Sequence, residues 1–565
     1  MMNKISKILS ISLITTLISL EYTAQSAVKN PTKYSNGIVA SDHYLASKAG
    51  ADVLKNGGNA FDAAIATSLV LSVIRNQSTG IGGGGFMVIH SAKGEDIVID
   101  YREIAPKKAF RDMYLDKNKK PIKNLSTTGY LAIGVPGNLS GLDYILKKYG
   151  TKSFKELSKD AINYAQNGFT VDEHFAGASE VLFKRGYTKD LSKTFFNSKG
   201  QPKKIGDIQK NPELANTLKL LSQKGIKDFY TGSISKKIVD AMSKNGGIIS
   251  ASDLANYQPK IRKPLIGNYR GYKIITMPPP SSGGIVLLET LNIMENYNIG
   301  WNSTGFASSE YVHLLTEALK HSFADRAEYL GDPDFVKIPL DMLTSKEHAK
   351  KLKTKIDPNK TQDNSTYGSK ALGDDHGTTH FSIVDKFGNI VAATETVNTY
   401  FGSQVVIPNT GILMNNQMDD FSIQPGVPNS FGLIGNENNS IQAGKKPLSS
   451  MSPTIILKDN KPFMAVGASG GPRIITGTLN TIMNVIDFGM NIEEAVSAQR
   501  FHHQWYPNKL FIEKDMPKDV KENLIKKGHE LSTGEAESAV QAIMIKDGKI
   551  TGASDPRKGG LPQGY

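Results

Sequence analysis

The chain has 565 residues, 39% of them hydrophobic and 21% charged, enough to bury large cores. It contains no cysteine, which excludes a thiol nucleophile, cysteine-ligated zinc, iron–sulfur clusters and disulfides, so covalent chemistry falls to oxygen or nitrogen. The formal charge is +13, from 67 Lys and Arg against 54 Asp and Glu; the basic residues are scattered lysines rather than arginine clusters interleaved with aromatics, which argues against a nucleic-acid partner.

Residues 1–26 carry Lys4 and Lys7 ahead of an apolar run from Ile8 to Leu20, then small residues around Ala24-Gln25-Ser26. This predicts a secretory signal cleaved near Ser26 or Ala27; the run is too short for a transmembrane anchor. The expectation is a periplasmic or extracellular protein without stable membrane insertion.

From Ala46 to Asn76 apolar residues recur at helical spacing on both sides of Gly57-Gly58, predicting a buried helical hairpin. Gly80 to Gly85 read GIGGGG and formally fit GxGxxG, but a helix precedes and a strand follows, the reverse of the dinucleotide-binding order. Tight backbone packing is the expectation. FMVIHSAKGEDIVIDYRE then reads as two strands, residues 139–260 as largely helical, YKIITM as a strand and IVLLETLNIMENYN as a helix. From Asp357 to Gly377 the chain is polar, which predicts a mobile tail or linker. After Thr378 the character turns β-rich: TTHFSIVDKFGNIVAATETVNT predicts a hairpin, TIILKD, PFMAVGAS and QAIMIKD predict strands, and RIITGTLNTIMNVIDFG a helix. Helices bracketing two sets of strands predict sheets sandwiched between helical layers. His502-His503 lacks a carboxylate at ligand spacing and reads as structural, with no metal expected.

Two hydroxyls compete as nucleophile. GASGG (Gly467 to Gly471) matches G-x-S-x-G between a strand and a helix, and Asp487 with His502 or His503 supplies a Ser469, Asp, His order. The same turn also reads as a helix N-terminus whose Gly470 and Gly471 amides form an anion site. Against Ser469 stands Thr378, where GDDHG ends and TTHFS begins. An N-terminal threonine attacks through Oγ while its own α-amine, with an ordinary pKa of about 7.7–8.0, takes the proton. An internal threonine has no free amine, so that chemistry requires scission between Gly377 and Thr378, by attack of Oγ on the Gly377 carbonyl and hydrolysis of the ester.

TTHFSIVD, NNQMDDFS, PLSSMSPT and GASGGPRII occur in this order, with YREIAP upstream and ASDPR near the C-terminus. Together they closely resemble γ-glutamyltranspeptidase, an N-terminal-nucleophile hydrolase, from about Ala40 to Tyr565. The resemblance implies an α+β fold, a four-layer αββα sandwich, built by a precursor that cuts itself into a large subunit (27–377) and a small catalytic one (378–565), interwoven as one domain. It implies Thr378 as nucleophile and new N-terminus, supported by the Thr396 hydroxyl. Arg102, Ser449 and Ser450 would hold the glutamyl α-carboxylate; Asp420, with Asn398 and Gln417 beside it, the α-ammonium; Gly470 and Gly471 the oxyanion. The stretch after Asp420 resembles a lid loop, with Phe431 where a tyrosine is often found, so that a ring can block the entrance without donating a hydrogen bond.

The implied reaction needs no metal or cofactor. Glutathione or a related γ-glutamyl amide acylates Thr378, and the glutamyl group passes to water or to an amino acid or dipeptide. A serine hydrolase using Ser469 and a non-catalytic extracytoplasmic glutamate-binding protein are the alternative readings.

Overall fold

The strands Thr378–Val384 and Ile390–Thr396 form the hairpin around which the architecture is organised, and all their residues are buried. Asp385 closes its turn by accepting from the amides of Phe387 and Asn389 through Oδ1. The antiparallel register pairs Thr378 with Thr396, His380 with Thr394 and Phe381 with Ala393. Because side chains alternate along a strand, Phe381, Ile383, Val391 and Ala393 point to one face while Val384, Ile390 and Ala392 point to the other, and the two sets join different cores.

The computed structural model describes residues 30–363, 377–534, 536 and 538–565. The expected signal segment, 1–26, lies outside them. Chain contacts group Pro31–Tyr565 into one compact unit. Among the described residues that unit contains two seven-stranded sheets. In the first, the hairpin is flanked by Ile38–Ser41 and Gly84–His90 and extended by Gln563–Gly564, Asp96–Asp100 and Lys260–Arg262, all antiparallel. In the second, Lys461–Ser469 and Thr454–Lys458 lie centrally, between Ala539–Lys546 and Tyr272–Thr276.

The helical hairpin predicted from Ala46 is present as Tyr44–Lys55 and Ala60–Ile74. Asn59 and Asp62 form a reciprocal capping box at the start of the second helix, satisfying amides left free there. That helix is buried on every side, and with its partner it covers the outer face of the first sheet. Gly283–Met294, Ser309–Tyr329 and Arg473–Ile486 pack on the second sheet, in the core that also fills the gap between sheets. The layers run helix, sheet, sheet, helix, the expected αββα sandwich. GIGGGG serves close packing as anticipated: a Cβ on Gly83 would lie 2.2 Å from the Thr396 carbonyl oxygen.

Two features differ from the sequence reading. Helix Ser309–Tyr329 goes unforeseen because it shows no clean apolar stripe; it buries His313, Glu317 and Lys320, the last two paired at 2.9 Å. That pair also corrects the reading of 357–377 as a mobile tail over its first part. Thr361 Oγ1 donates to Glu317 Oε1 at 2.6 Å, Lys320 Nζ donates to the Gln362 carbonyl at 2.6 Å, and the Thr361 amide donates to the Lys527 carbonyl. Buried charges need partners, and this segment supplies them. Residues 364–376 lie outside the described residues.

Candidate active site

Strand alternation places Thr378 on the face of the first sheet that looks toward the second, and the register sets Thr396 directly opposite. Their hydroxyl oxygens are 3.3 Å apart. Thr396 Oγ1 donates to the Gly377 carbonyl at 2.5 Å and accepts from the Asn398 amide at 2.8 Å. One hydroxyl is thus oriented from behind and aimed at the carbonyl preceding Thr378. Asn398 has a left-handed backbone, φ 84°, where asparagine is tolerated better than most residues. Gly377 is needed for room: a Cβ there would lie 2.4 Å from the Asn398 carbonyl oxygen.

Thr378 lines a small pocket together with Thr396, Arg102, Asn398, Gln417, Asp420, Phe431, Ser449, Ser450 and Gly471. The resemblance implied a place at the site for each of these, and the fold brings them to one pocket from segments hundreds of residues apart. Gly470 and Gly377 line a second, roomier cavity that also reaches Thr378. The two glycines following Ser469 adopt φ 126° and 52° at the turn into helix Arg473–Ile486, so the turn opens to both cavities.

The charged residues meet in a way the sequence did not specify. Arg102 Nη2 bonds Asp420 Oδ2 directly, and Gln417 Nε2 donates to the same oxygen at 2.7 Å. Burial pushes the Asp420 carboxyl up, and the Arg102 guanidinium opposes that shift. Each is the other's counter-charge. Two opposite charges at one wall are also what a zwitterion requires, since its carboxylate and ammonium can replace the internal pair at little net electrostatic cost.

Ser449 is held from the backbone. The Ser449 carbonyl accepts from the Ser282 amide at 2.8 Å and from Ser282 Oγ at 2.7 Å, and Arg326 Nε donates to Ser282 Oγ at 3.0 Å. Phe431 is buried at the cavity wall; Gln504 Nε2 donates to its carbonyl at 3.2 Å. Its neighbour Ser430 donates its amide to Asp419 Oδ2 at 3.0 Å, which ties the loop to the residue beside Asp420.

The Ser469 alternative loses its base. His502 is engaged by Thr476 Oγ1 at 2.9 Å and Gln504 Oε1 at 2.8 Å, His503 Nδ1 accepts from the Trp505 amide, and Asp487 is bound by Tyr269 and Arg270. Burial holds His502 down to about 3, so it is a neutral structural side chain, as expected. Ser469 Oγ instead accepts from Lys558 Nζ at 3.1 Å. The first glycine of GASGG is a packing residue, because a Cβ on Gly467 would lie 2.3 Å from the His380 ring.

Lys558 is the residue that sequence reasoning missed. Its ammonium donates to the Thr378 carbonyl at 2.5 Å and pairs with Asp42 at 2.7 Å, all three groups being buried. Burial lowers its pKa, with Asp42 opposing. ASDPR lies just before it, but a lysine following an arginine carries no signal in a lysine-rich chain. Asp555 and Arg557 of ASDPR anchor this C-terminal segment, pairing with Arg500 at 2.6 Å and with Glu513 at 2.6 Å.

Known proteins resemble the chain over most of its length. A glutathione hydrolase proenzyme of Escherichia coli K12 is 44% identical over 546 residues, covering 95% of this chain and 93% of its own. The crystal structure of a cephalosporin acylase from Bacillus halodurans superposes with a TM-score of 0.84 at 28% identity, over 95% of this chain and 97% of that one. That of Helicobacter pylori gamma-glutamyltranspeptidase gives 0.55 at 43% identity, over 58% of this chain and 93% of that chain. The Gamma-glutamyltranspeptidase family model matches residues 46–565, and the chain belongs to that family.

Proposed function

We propose that this chain is a self-processing γ-glutamyl hydrolase and transferase, acting on glutathione and related γ-glutamyl amides through an acyl-enzyme on Thr378. The observation that carries the reading is the Thr396 hydroxyl at 2.5 Å from the Gly377 carbonyl oxygen, beside Thr378 Oγ1. A donor already aimed at that oxygen stabilises the negative charge that develops as Oγ attacks. Hydrolysis of the resulting ester frees the Thr378 amine and leaves a large subunit, 27–377, and a small one, 378–565.

In the processed enzyme the amine serves as base for its own hydroxyl. Arg102, with Ser449 and Ser450, takes the glutamyl α-carboxylate; Asp420, with Asn398 and Gln417, takes the α-ammonium. The Arg102–Asp420 pair supports this, because the glutamyl head offers each partner a replacement of the same sign. The γ-carbonyl then lies at Thr378, with the Gly470 and Gly471 amides as oxyanion donors. The second cavity at Thr378 gives the amine product a way out and the acceptor, water or an amino acid or dipeptide, a way in. Phe431 caps the glutamyl pocket without contributing a hydroxyl. Residues 1–26 direct export to the periplasm or medium; among the described residues no helix is long and apolar enough to cross a membrane.

The test is a denaturing gel with N-terminal sequencing, followed by product analysis with glutathione in the presence and absence of glycylglycine. The expected result is a small chain starting at Thr378, with glutamate and γ-glutamyl-glycylglycine among the products. Turnover by a single uncut chain contradicts the reading.

A further inference from the structure

Two groups of histidine and carboxylate side chains in the helical layer over the second sheet bring three potential ligand atoms each within 4.8 Å of one another. In His313, Glu317 and His529 the atoms are already engaged. His313 Nδ1 lies 2.8 Å from His529 Nε2, His313 Nε2 bonds the Asp357 carbonyl, and Glu317 accepts from Lys320 and Thr361. Lys320 supplies the positive charge that the buried carboxylate needs.

The second group is built differently. Glu289 comes from helix Gly283–Met294, Asp325 from Ser309–Tyr329 and His348 from Lys346–Lys353. Glu289 is fully buried, and neither carboxylate oxygen has a hydrogen-bond partner among the described residues. His348 Nε2 lies 2.8 Å from Asp325 Oδ2 and 3.9 Å from Glu289 Oε1. Burial and the facing Asp325 carboxylate push the Glu289 acid well above the ordinary range. Two carboxylates at such range, one without solvent, require a positive species between them: a shared proton or a cation.

We propose that Glu289, Asp325 and His348 form a binding site for a first-row divalent cation of the zinc or manganese type. One imidazole and two carboxylates suit such an ion better than the all-oxygen preference of calcium or magnesium. Asp325 and His348 are partly exposed, at 21% and 17%, which gives the ion an entry path and leaves room for a water ligand. The ion would join three helices. One of them starts directly after Ser282 and another carries Arg326, the residues that brace the Ser449 backbone, so its role is to stiffen that support.

The experiment uses dialysed, full-length purified protein as wild type, Glu289→Gln and His348→Ala. Zinc is titrated calorimetrically, retained metal is counted after desalting, Tm is read with and without zinc, and manganese is run in parallel. The expected result is one more bound ion per chain in wild type than in either variant, with a zinc-dependent rise in Tm that both variants lose. Equal uptake and equal Tm response in all three proteins overturns the site. So does a Glu289→Gln variant that is more stable than wild type with unchanged zinc uptake, because the positive species is then a proton.

Discussion

Thr378 and Ser469 make a close comparison. Both are buried hydroxyl residues at strand ends, one on each of the facing sheets, and both are contacted by the Lys558 ammonium. On local pattern Ser469 has the stronger claim, with glycines around it and a helix behind. Its environment removes that claim: the neighbouring ammonium donates to its oxygen, and the histidines that could act as base are bonded elsewhere. At Thr378, Lys558 bonds the backbone carbonyl and leaves the hydroxyl free to face Thr396 and the cavity. A nucleophile is defined by where its proton can go and where charge can develop, and neither is a property of the five residues around it.

Replacement of the two hydroxyls tests this most severely. Thr378→Ala is expected to leave one uncut chain and to lower kcat by at least ~10⁴-fold, as for removal of other nucleophiles. Ser469→Ala is expected to be processed and to keep kcat within about tenfold, losing only a modest hydrogen bond. A gel and a glutathione hydrolysis assay on both variants decide the matter.

The charge pair comes next. Arg102→Gln leaves the largely buried Asp420 without its cation, a loss on the order of 3–5 kcal/mol for such pairs, and is expected to lower kcat/KM by about 10²–10³-fold with a dominant effect on KM. Thr396→Val, read as the rate at which the small chain appears in a time course, should slow scission by roughly 10²-fold, the cost of one oxyanion donor. Thr396→Ser should restore most of it, which a merely structural methyl contact would not.

The smallest effect concerns the layer behind the nucleophile. Glu395 is buried beneath the hairpin, where Ser68 and Tyr101 donate to it, and burial pushes it up to about 7. Its pKa is higher folded than unfolded, so the acid form is favoured in the native state. Stability from this group is therefore full below about 4.5 and is lost as pH rises toward 7. Denaturant midpoints at pH 5 and pH 8 should show a smaller fall in Glu395→Gln than in wild type. An identical fall would place the pH dependence elsewhere.

Much of the site was legible because stretches such as YREIAP, NNQMDDFS and PLSSMSPT occur in order and together resemble γ-glutamyltranspeptidase. What escaped were residues whose types are common. Lys558 is one lysine among many, and Asp42 acquires meaning only through its 2.7 Å contact with it. Helix Ser309–Tyr329 escaped for a related reason: buried Glu317 and Lys320 blur the apolar periodicity that helix recognition relies on. Residues 357–363 read as solvated tail because polar composition does not reveal when polar groups are needed as partners for buried charge.

By itself the sequence determined the elements and the chemistry available to them: a cysteine-free chain, a strand beginning at Thr378 and a glycine-rich turn. Local periodicity and residue type suffice for these, since both act over a few residues. The tertiary structure alone decided which hydroxyl has a donor-lined carbonyl beside it, that Arg102 and Asp420 neutralise each other, and that Lys558 braces the nucleophile strand. These depend on strand register and sheet facing, which bring together groups hundreds of residues apart, such as Asp42 and the Lys558 ammonium, and spacing along the chain carries no record of them.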